Sequence, residues 1–204
     1  MKSIRKSDIF LGGKAYEWSP FLSKLSWGFY KGKIAFDSTQ MLRKIDLVLN
    51  LLLNTILNNK SSIWIIDNNG KYRHFVNKYH KELSKINIYY TGEMLPGGFL
   101  TNKLHFEKGE YKYPQIVLFS FISVTQNQFV KDLQNKGVIC IGCSSNWVKS
   151  LDYSLYSNNS EKTNVLFYFI ISFLVFVSKY KKYLTHKKIK LTKNLTKKNE
   201  KIKL

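Results

Sequence analysis

Two cysteines three residues apart form the pattern in this chain that most directly suggests chemistry. Cys140 and Cys143 make a Cys-x-x-Cys pair, which can act as a redox couple or as half of a zinc site. Cys140 falls within the strand-like run 138–141, and residues three apart on a strand point to opposite faces. The chain has no second cysteine pair, and its four histidines show no ligand spacing. We therefore expect two core cysteines, with no bound metal and no cofactor.

Acidic residues after predicted strands are the other candidates for catalysis. Asp67 directly follows the apolar run 63–66, a position that suits a ribose hydroxyl. The segment Asp67–Gly70 also has a composition that strongly favours a turn, so we expect Asp67 to cap the turn into the next helix. Glu93 and Asp152 lie in later loops, and nothing pairs them as acid and base. Since the chain also has neither a Gly-x-Gly-x-x-Gly motif nor a P-loop, we expect no catalytic residues.

Apolar periodicity places these residues in alternating strands and helices. The segment 41–57 has apolar residues at helical spacing and follows a capping residue, Asp37 or Ser38. Strands are predicted at 63–66, 86–90, 115–121 and 138–141, and further helices at 72–83, 125–135 and 161–182. This alternation favours an α/β fold: a three-layer sandwich with a mainly parallel central sheet, of the flavodoxin-like or Rossmann-like kind.

The predicted domain division has three parts. Residues 1–36 form an N-terminal basic-aromatic arm with a first strand, residues 37–184 form the α/β domain, and residues 185–204 form a lysine-rich tail. Within the second part, 165–177 is a run of thirteen residues that is apolar on all sides. A membrane-spanning helix needs about twenty, so we expect a buried helix and no membrane span. A membrane-peripheral role remains an alternative.

The loop after the strand 86–90 has an unusual composition. Its sequence, Gly92–Asn102, contains a Pro-Gly-Gly step that breaks regular structure. It carries one acid and no His, Cys, Ser or Lys, which suits docking better than catalysis. The pattern Glu-x-x-x-Gly-Gly-x-Leu-Thr-Asn resembles the hallmark loop of the small-subunit ribosomal protein two family, of bacterial and organellar type.

Three further blocks resemble the same family, in the same order. The blocks are Phe10–Gly13 with Trp18–Pro20, then Tyr113–Phe119, then Gly137–Ile141 with Ser144–Asn146 and Asp152–Tyr153. They are similar to the family's His-x-Gly-His … Trp-Asn-Pro segment, its Pro-Asp-led buried strand, and its last strand with an Asp-Thr-Asn … Asp-Tyr loop. The resemblance covers residues 8–178.

The chain also departs from the family pattern. Both family histidines near the N-terminus are absent, with Leu11 and Gly13 standing around Gly12, and Gln115 and Ser144 replace aspartates. Eleven residues separate Asn102 from Pro114, where the family carries a long helical hairpin. The chain has therefore lost that hairpin, and we do not expect it to make the contacts that the hairpin makes in the family.

The resemblance implies a structural constituent of a small ribosomal subunit, which binds its ribosomal RNA beside ribosomal-protein neighbours and does not form homo-oligomers. The chain is rich in Asn, Lys, Ile, Tyr and Phe, a composition typical of AT-biased organellar genomes. We therefore expect a mitochondrial ribosomal protein of the matrix, encoded in the organelle. A small-molecule-binding α/β enzyme and a membrane-peripheral basic protein are the alternatives.

The charge balance favours a polyanionic partner. The chain has 33 Lys+Arg against 13 Asp+Glu, a net charge of +20, and lysine suits phosphate attraction better than it suits base reading. Residues 179–204 hold eleven lysines and one acid, which is +10 of that total. Residues 179–204 either lie along RNA phosphates or form only a solvated segment.

Lysines and aromatic rings interleave between residues 14 and 33. Lysines contact phosphates, and aromatic rings stack on unpaired bases or brace ribose; alternatively, the tryptophans only seat this segment on the sheet domain. The predicted RNA-binding residues are Lys14, Trp18, Lys24, Trp27, Lys31, Lys33, Arg73, Thr101, Asn102, Lys103, Lys181, Lys182, Lys187, Lys188 and Lys190. The alternative for Arg73 is a solvated helix face.

Overall fold

Alternating strands and helices make up most of the chain after residue 36. The computed structural model describes residues 10–57, 62–67, 70–92, 113–122, 127–145, 148, 150–157 and 165–181. In chain order the elements are β1 (Leu11–Lys14), β2 (Ser26–Tyr30), β3 (Lys33–Phe36), α1 (Ser38–Leu57), β4 (Ile63–Ile66), α2 (Arg73–Lys78), α3 (His80–Ser84), β5 (Ile88–Thr91), β6 (Ile116–Phe119), α4 (Asn127–Gln134), β7 (Ile139–Ser144), β8 (Tyr153–Tyr156) and α5 (165–181).

A five-stranded parallel sheet forms the centre of the fold. Its strand order is β5-β4-β6-β7-β8, and every neighbouring pair is parallel. This is the strand order of flavodoxin-like doubly wound sheets, in which the direction of winding switches beside the first strand. The predicted fold class, an α/β sandwich with a mainly parallel central sheet, is confirmed.

The central strands are apolar throughout because helices or loops cover both faces of the sheet. On one face, α1, α2, α3 and α5 pack over alternate strand residues such as Ile63 and Ile65. On the other face, α4 and the segment before β8 cover the intervening residues, such as Trp64 and Ile66. Burial of both faces explains why the strand 63–66 could be located from an apolar run alone.

Some element boundaries differ from those that the sequence predicts. The helix predicted at 72–83 is two short helices, because Tyr79 leaves the helical backbone region with φ −112° and ψ 14°. The strand β8 was not predicted; it is four residues long and lies at the edge of the sheet. Asp37 is confirmed as the cap of α1, since its carboxylate accepts hydrogen bonds from the backbone N–H and the hydroxyl of Thr39.

The N-terminal segment forms a second sheet, where one first strand was predicted. Strand β3 lies between β1 and β2, and both pairs are antiparallel. The β2–β3 hairpin turns at Lys31 and Gly32, whose φ values are 49° and 70°. Positive φ at both central residues is typical of a type I′ turn, which matches the twist of the flanking strands. The division predicted at residues 36 and 37 falls just before α1 and stays a prediction.

A small apolar cluster joins this N-terminal sheet to the rest of the molecule. Ile34 and Phe36 of β3 are buried against Leu22, Met41 of α1 and Tyr156 of β8. The rings of Phe36 and Tyr156 stack with their centroids 4.9 Å apart. The N-terminal sheet is therefore held against one end of the parallel sheet by packing, and its other face is presented outward.

Candidate nucleic-acid interface

A row of three polar residues crosses the N-terminal sheet. Lys33 of β3 lies directly opposite Lys14 of β1 on one side and Tyr30 of β2 on the other. Directly opposite residues in an antiparallel pair project to the same face of the sheet. The face that carries this row is opposite to the one that buries Ile34 and Phe36, because alternate residues of a strand point to opposite sides.

Two further residues extend the row into a cluster of lysines and tyrosines. The ammonium nitrogen of Lys31 lies 5.5 Å from the ring centroid of Tyr30, and that of Lys14 lies 5.6 Å from the centroid of Tyr16. The side chain of Tyr16 is 78% exposed and that of Tyr30 is 40% exposed. We call Lys14, Tyr16, Tyr30, Lys31 and Lys33 the lysine–tyrosine face.

The repulsion between Lys14 and Lys33 shapes the electrostatics of this face. Like charges directly opposite each other in a sheet destabilise it, and Lys14 and Lys33 are cross-strand partners. An anion that binds between them would remove the repulsion. This arrangement, with aromatic rings on either side, suits a phosphate group that is attached to a planar base.

A second group of aromatic side chains surrounds β2. Trp27 is 55% exposed and Phe29 is 57% exposed, and the ring of Phe29 meets that of Trp18 edge to face at 6.3 Å. Trp27 also contacts Asp37: hydrogen bonds from Thr39, with smaller ones from Gln40 and Trp27, lower the pKa of that carboxyl. These rings contact the protein at one edge and are exposed to solvent elsewhere. Packing of this segment on the sheet domain therefore accounts for only part of their surface.

The remaining predicted RNA-binding residues are dispersed. Lys24 is exposed in the turn before β2, where its carbonyl accepts a hydrogen bond from Gln40. Arg73 begins α2, beside Tyr90 and Gly92 at the far side of the parallel sheet. Thr101, Asn102, Lys103, Lys182, Lys187, Lys188 and Lys190 lie outside the described residues.

Lys181 has a role within the fold. Its ammonium group donates a hydrogen bond to the carbonyl of Ile56, in the last turn of α1. A cation at this position also interacts favourably with the negative end of the helix dipole. Partial burial lowers the pKa of this lysine. The structure thus accounts for Lys181 without RNA, and its predicted contact with RNA stays a prediction.

Asp67 lies at the carboxyl end of β4, beside the point where the winding direction of the sheet switches. It is fully buried. One carboxylate oxygen accepts hydrogen bonds from the Tyr72 N–H at 2.8 Å and the Tyr90 hydroxyl at 2.9 Å; the other accepts one from the Ser120 hydroxyl at 2.9 Å. Burial, and then the bond to Asp67, raise the pKa of Tyr90. The expected turn-capping role is confirmed, and both oxygens are occupied by protein donors.

The N-terminal sheet contacts the parallel sheet at the carboxyl ends of its strands, which is also the end where Asp67 lies. Gly13 donates its backbone N–H to the carbonyl of Ser145, just after β7, at 2.8 Å. A methyl group added at Gly12 would lie 2.9 Å from the same oxygen, so the two backbones approach too closely for a side chain there. This contact brings together two of the sequence blocks that suggested the ribosomal family.

The two cysteines lie on opposite faces of β7, as the strand interpretation predicted. Cys140 packs with the core under α4, and Cys143 packs with the core under α1 and α5. Burial raises the pKa of each thiol to about 12. Among the residues that the structure describes, no three potential metal ligands come together, and none of the helices has the length and apolar content that a bilayer crossing requires.

Sequence reasoning selected the lysines of the interface but not all of its rings. Tyr16, Phe29 and Tyr30 are not among the residues that the sequence predicts to bind RNA. The available signal was the alternation along residues 26–30, which predicts a strand once the Lys31-Gly32 turn is recognised.

No family model matches the chain, and no curated protein sequence matches it significantly.

Proposed function

We propose that this chain is a structural protein of the mitochondrial small ribosomal subunit, where it binds small-subunit ribosomal RNA. The observation that carries the proposal is the lysine–tyrosine face, on which Lys14 and Lys33 lie directly opposite each other. A net charge of +20 favours polyanionic partners, and this face offers them a cluster of lysines on a sheet.

The contact between Gly13 and Ser145 supports the family resemblance. The first and last blocks of that resemblance are far apart in sequence, yet they meet through a 2.8 Å backbone hydrogen bond. A methyl group at the neighbouring Gly12 would lie 2.9 Å from the same Ser145 oxygen, so glycine is required at that position. The resembling residues therefore share a structural role in this fold, and the resemblance in turn suggests a ribosomal protein rather than another basic protein.

The proposed mechanism is positioning of RNA. Lysines neutralise phosphates and release condensed counterions, which supplies affinity that falls as salt rises. Contacts to phosphate and sugar fix orientation without reading sequence. Because the N-terminal sheet that carries these lysines packs against the α/β domain, it would then hold RNA helices in a fixed arrangement, with ribosomal proteins as neighbours. In this proposal the protein is not an enzyme and does not form homo-oligomers.

The enzyme alternative has weaker support. Ligands of doubly wound folds bind beyond the carboxyl ends of the strands near the switch point, and here Asp67 is the acid at that place. Its oxygens already accept three hydrogen bonds from Tyr72, Tyr90 and Ser120, which leaves it suited to holding β4, β5 and β6 together.

Sedimentation of a mitochondrial lysate tests the proposal. At low and moderate salt, we expect this protein, followed by mass spectrometry, to migrate with the small subunit and with the whole ribosome. Migration as a free protein at low salt would refute the ribosomal assignment. Recovery with membranes after the ribosomes have been dissociated would instead favour the membrane-peripheral alternative.

A further inference from the structure

The lysine–tyrosine face has features that phosphate binding alone does not explain. Phosphate binding requires only the ammonium groups, yet Tyr16 and Tyr30 lie under Lys14 and Lys31 and expose 78% and 40% of their surfaces. Exposed rings of this size lose hydration only when another flat or apolar group covers them.

Tyr30 is grouped with three lysines on this face. Lys33 lies directly opposite it in the neighbouring strand, Lys31 lies over its ring, and Lys14 completes the row. Tyr30 is the last residue of β2 and directly precedes the two-residue turn at Lys31 and Gly32, so the hairpin fixes its backbone position. A nucleotide stacked on this ring would have cations beside its phosphates.

We propose that the lysine–tyrosine face binds an unpaired segment of RNA, with one base stacked on Tyr30 and the flanking phosphates at Lys14, Lys31 and Lys33. This inference rests on the proposed function and specifies the kind of RNA. Bases in a duplex are already stacked on each other, and proteins recognise duplex RNA mainly through phosphates, 2′-hydroxyls and shape. Only an unpaired base presents a free face to an aromatic ring.

The charge distribution favours RNA over an apolar partner. A protein or lipid surface that covered only the rings would leave Lys14 and Lys33 opposed and unneutralised, whereas a phosphodiester neutralises both. An anionic lipid surface also carries phosphates but has no flat group to stack on Tyr30, so the two partners differ in how much they depend on this ring.

Equilibrium binding of the full chain to a short single-stranded RNA, and to a duplex of the same sequence, tests the inference. We expect tighter binding to the single strand. Tyr30→Leu should weaken single-strand binding by about tenfold, since a stacked base contributes that order of affinity, and should leave duplex binding unchanged. Tyr30→Phe keeps the ring and should bind normally. Phe176→Leu removes an exposed ring from α5, 66% exposed against 40% for Tyr30, and serves as the control.

The salt dependence tests the lysines separately. Replacing Lys14, Lys31 and Lys33 with Ala should reduce the slope of log affinity against log salt by about 2, because each phosphate contact on a single strand contributes about 0.7. The triple variant of Lys81, Lys85 and Lys131, which are also exposed, removes the same charge and should change the slope much less.

The outcomes separate this inference from the proposed function. If Tyr30→Leu binds the single strand as the wild type does, or the duplex binds equally well, the inference is wrong although the protein still sediments with the small subunit. Binding to anionic vesicles that depends on Tyr30 while RNA binding does not would also overturn it. If the protein binds no RNA and sediments free, both proposals fail. Ultraviolet cross-linking of the wild type to the single strand should label the peptide containing Tyr30, which checks the result without any variant.

Discussion

Gly13 donates its backbone N–H to the carbonyl oxygen of Ser145 at 2.8 Å, and this bond ties the N-terminal sheet to the carboxyl end of β7. The neighbouring Gly12 has no room for a side chain, since a methyl group there would lie 2.5 Å from the ring of Phe36 and 2.9 Å from the Ser145 oxygen. The position of the lysine–tyrosine face relative to the parallel sheet therefore depends on this backbone bond and on the absence of a side chain at Gly12.

Gly12→Ala should destabilise the protein by about 1–3 kcal/mol, because the added methyl group overpacks a backbone contact. Gly13→Ala is the matched control. Its methyl group would meet the carboxylate end of Glu17, a side chain that can rotate away, so we expect a smaller loss. Urea denaturation measures both. An equal or larger loss for Gly13→Ala would contradict the assignment of the close contact to Gly12.

Asp67→Ala should destabilise the protein by about 3 kcal/mol or more, because three buried donors lose their acceptor. Asp67→Asn should cost less, about 1–2 kcal/mol. Its remaining oxygen can still accept from Tyr72 and Tyr90, and its amide can donate to the Ser120 hydroxyl. Midpoints of urea unfolding give the comparison. If the two variants are equally stable, the carboxylate network does not contribute as we describe.

The stability of the protein should fall at alkaline pH because of its buried thiols. Burial raises the pKa of Cys143 from 9.0 to about 12, so the folded protein keeps a proton that the unfolded chain loses. The stabilisation is complete below about pH 9 and decreases by up to ~1.4 kcal/mol per pH unit as the pH rises towards 12.

Cys143→Ala isolates this effect. The variant should be less stable at neutral pH, because it loses buried volume, but its disadvantage should shrink as the pH rises above 9. Urea unfolding of both proteins between pH 7 and roughly 11 measures the difference. A difference that stays constant across this range would show that the thiol ionises normally in the folded protein.

Lys33→Thr should have opposite effects on stability and on RNA binding. Removing one of two opposed charges should stabilise the folded protein by about 0.2–1 kcal/mol, whereas RNA affinity should fall through the loss of a phosphate contact. Lys14→Thr should behave similarly. The double variant should gain less stability than the sum of the gains of the two single variants, since either substitution alone removes the repulsion. Additive gains in thermal or urea unfolding would mean that the two lysines do not interact.

Removal of residues 185–204 should flatten the salt dependence of RNA binding and leave the fold intact. This segment contains eight lysines and one acid, and each phosphate that it neutralises adds to the slope. The comparison is the slope for the truncated chain against that for the full chain, with unfolding midpoints as the control. An unchanged slope would show that the tail does not contact RNA.

Much of the parallel sheet could be predicted from the sequence, because buried central strands must be apolar on both faces. The runs at 63–66 and 138–141 identify strands for this reason, and the strand geometry of Cys140 and Cys143 already separates their side chains. The edge strand β8 was not predicted, because its four residues include serine and tyrosine and no long apolar run marks it. The break at Tyr79 was not predicted either, because the apolar spacing continues through it.

The sequence alone determined that the chain is strongly basic, that it folds as an α/β sandwich, and that lysines and aromatic rings alternate near its N-terminus. Local composition and periodicity carry that information. Only the tertiary structure decided which of these residues share a face. Lys14, Lys33 and Tyr30 come from three strands, and their alignment depends on strand register, on the Lys31-Gly32 turn and on a strand order that places β3 in the middle. Register is a relation between distant segments, and so it is set by long-range pairing and packing rather than by any local pattern.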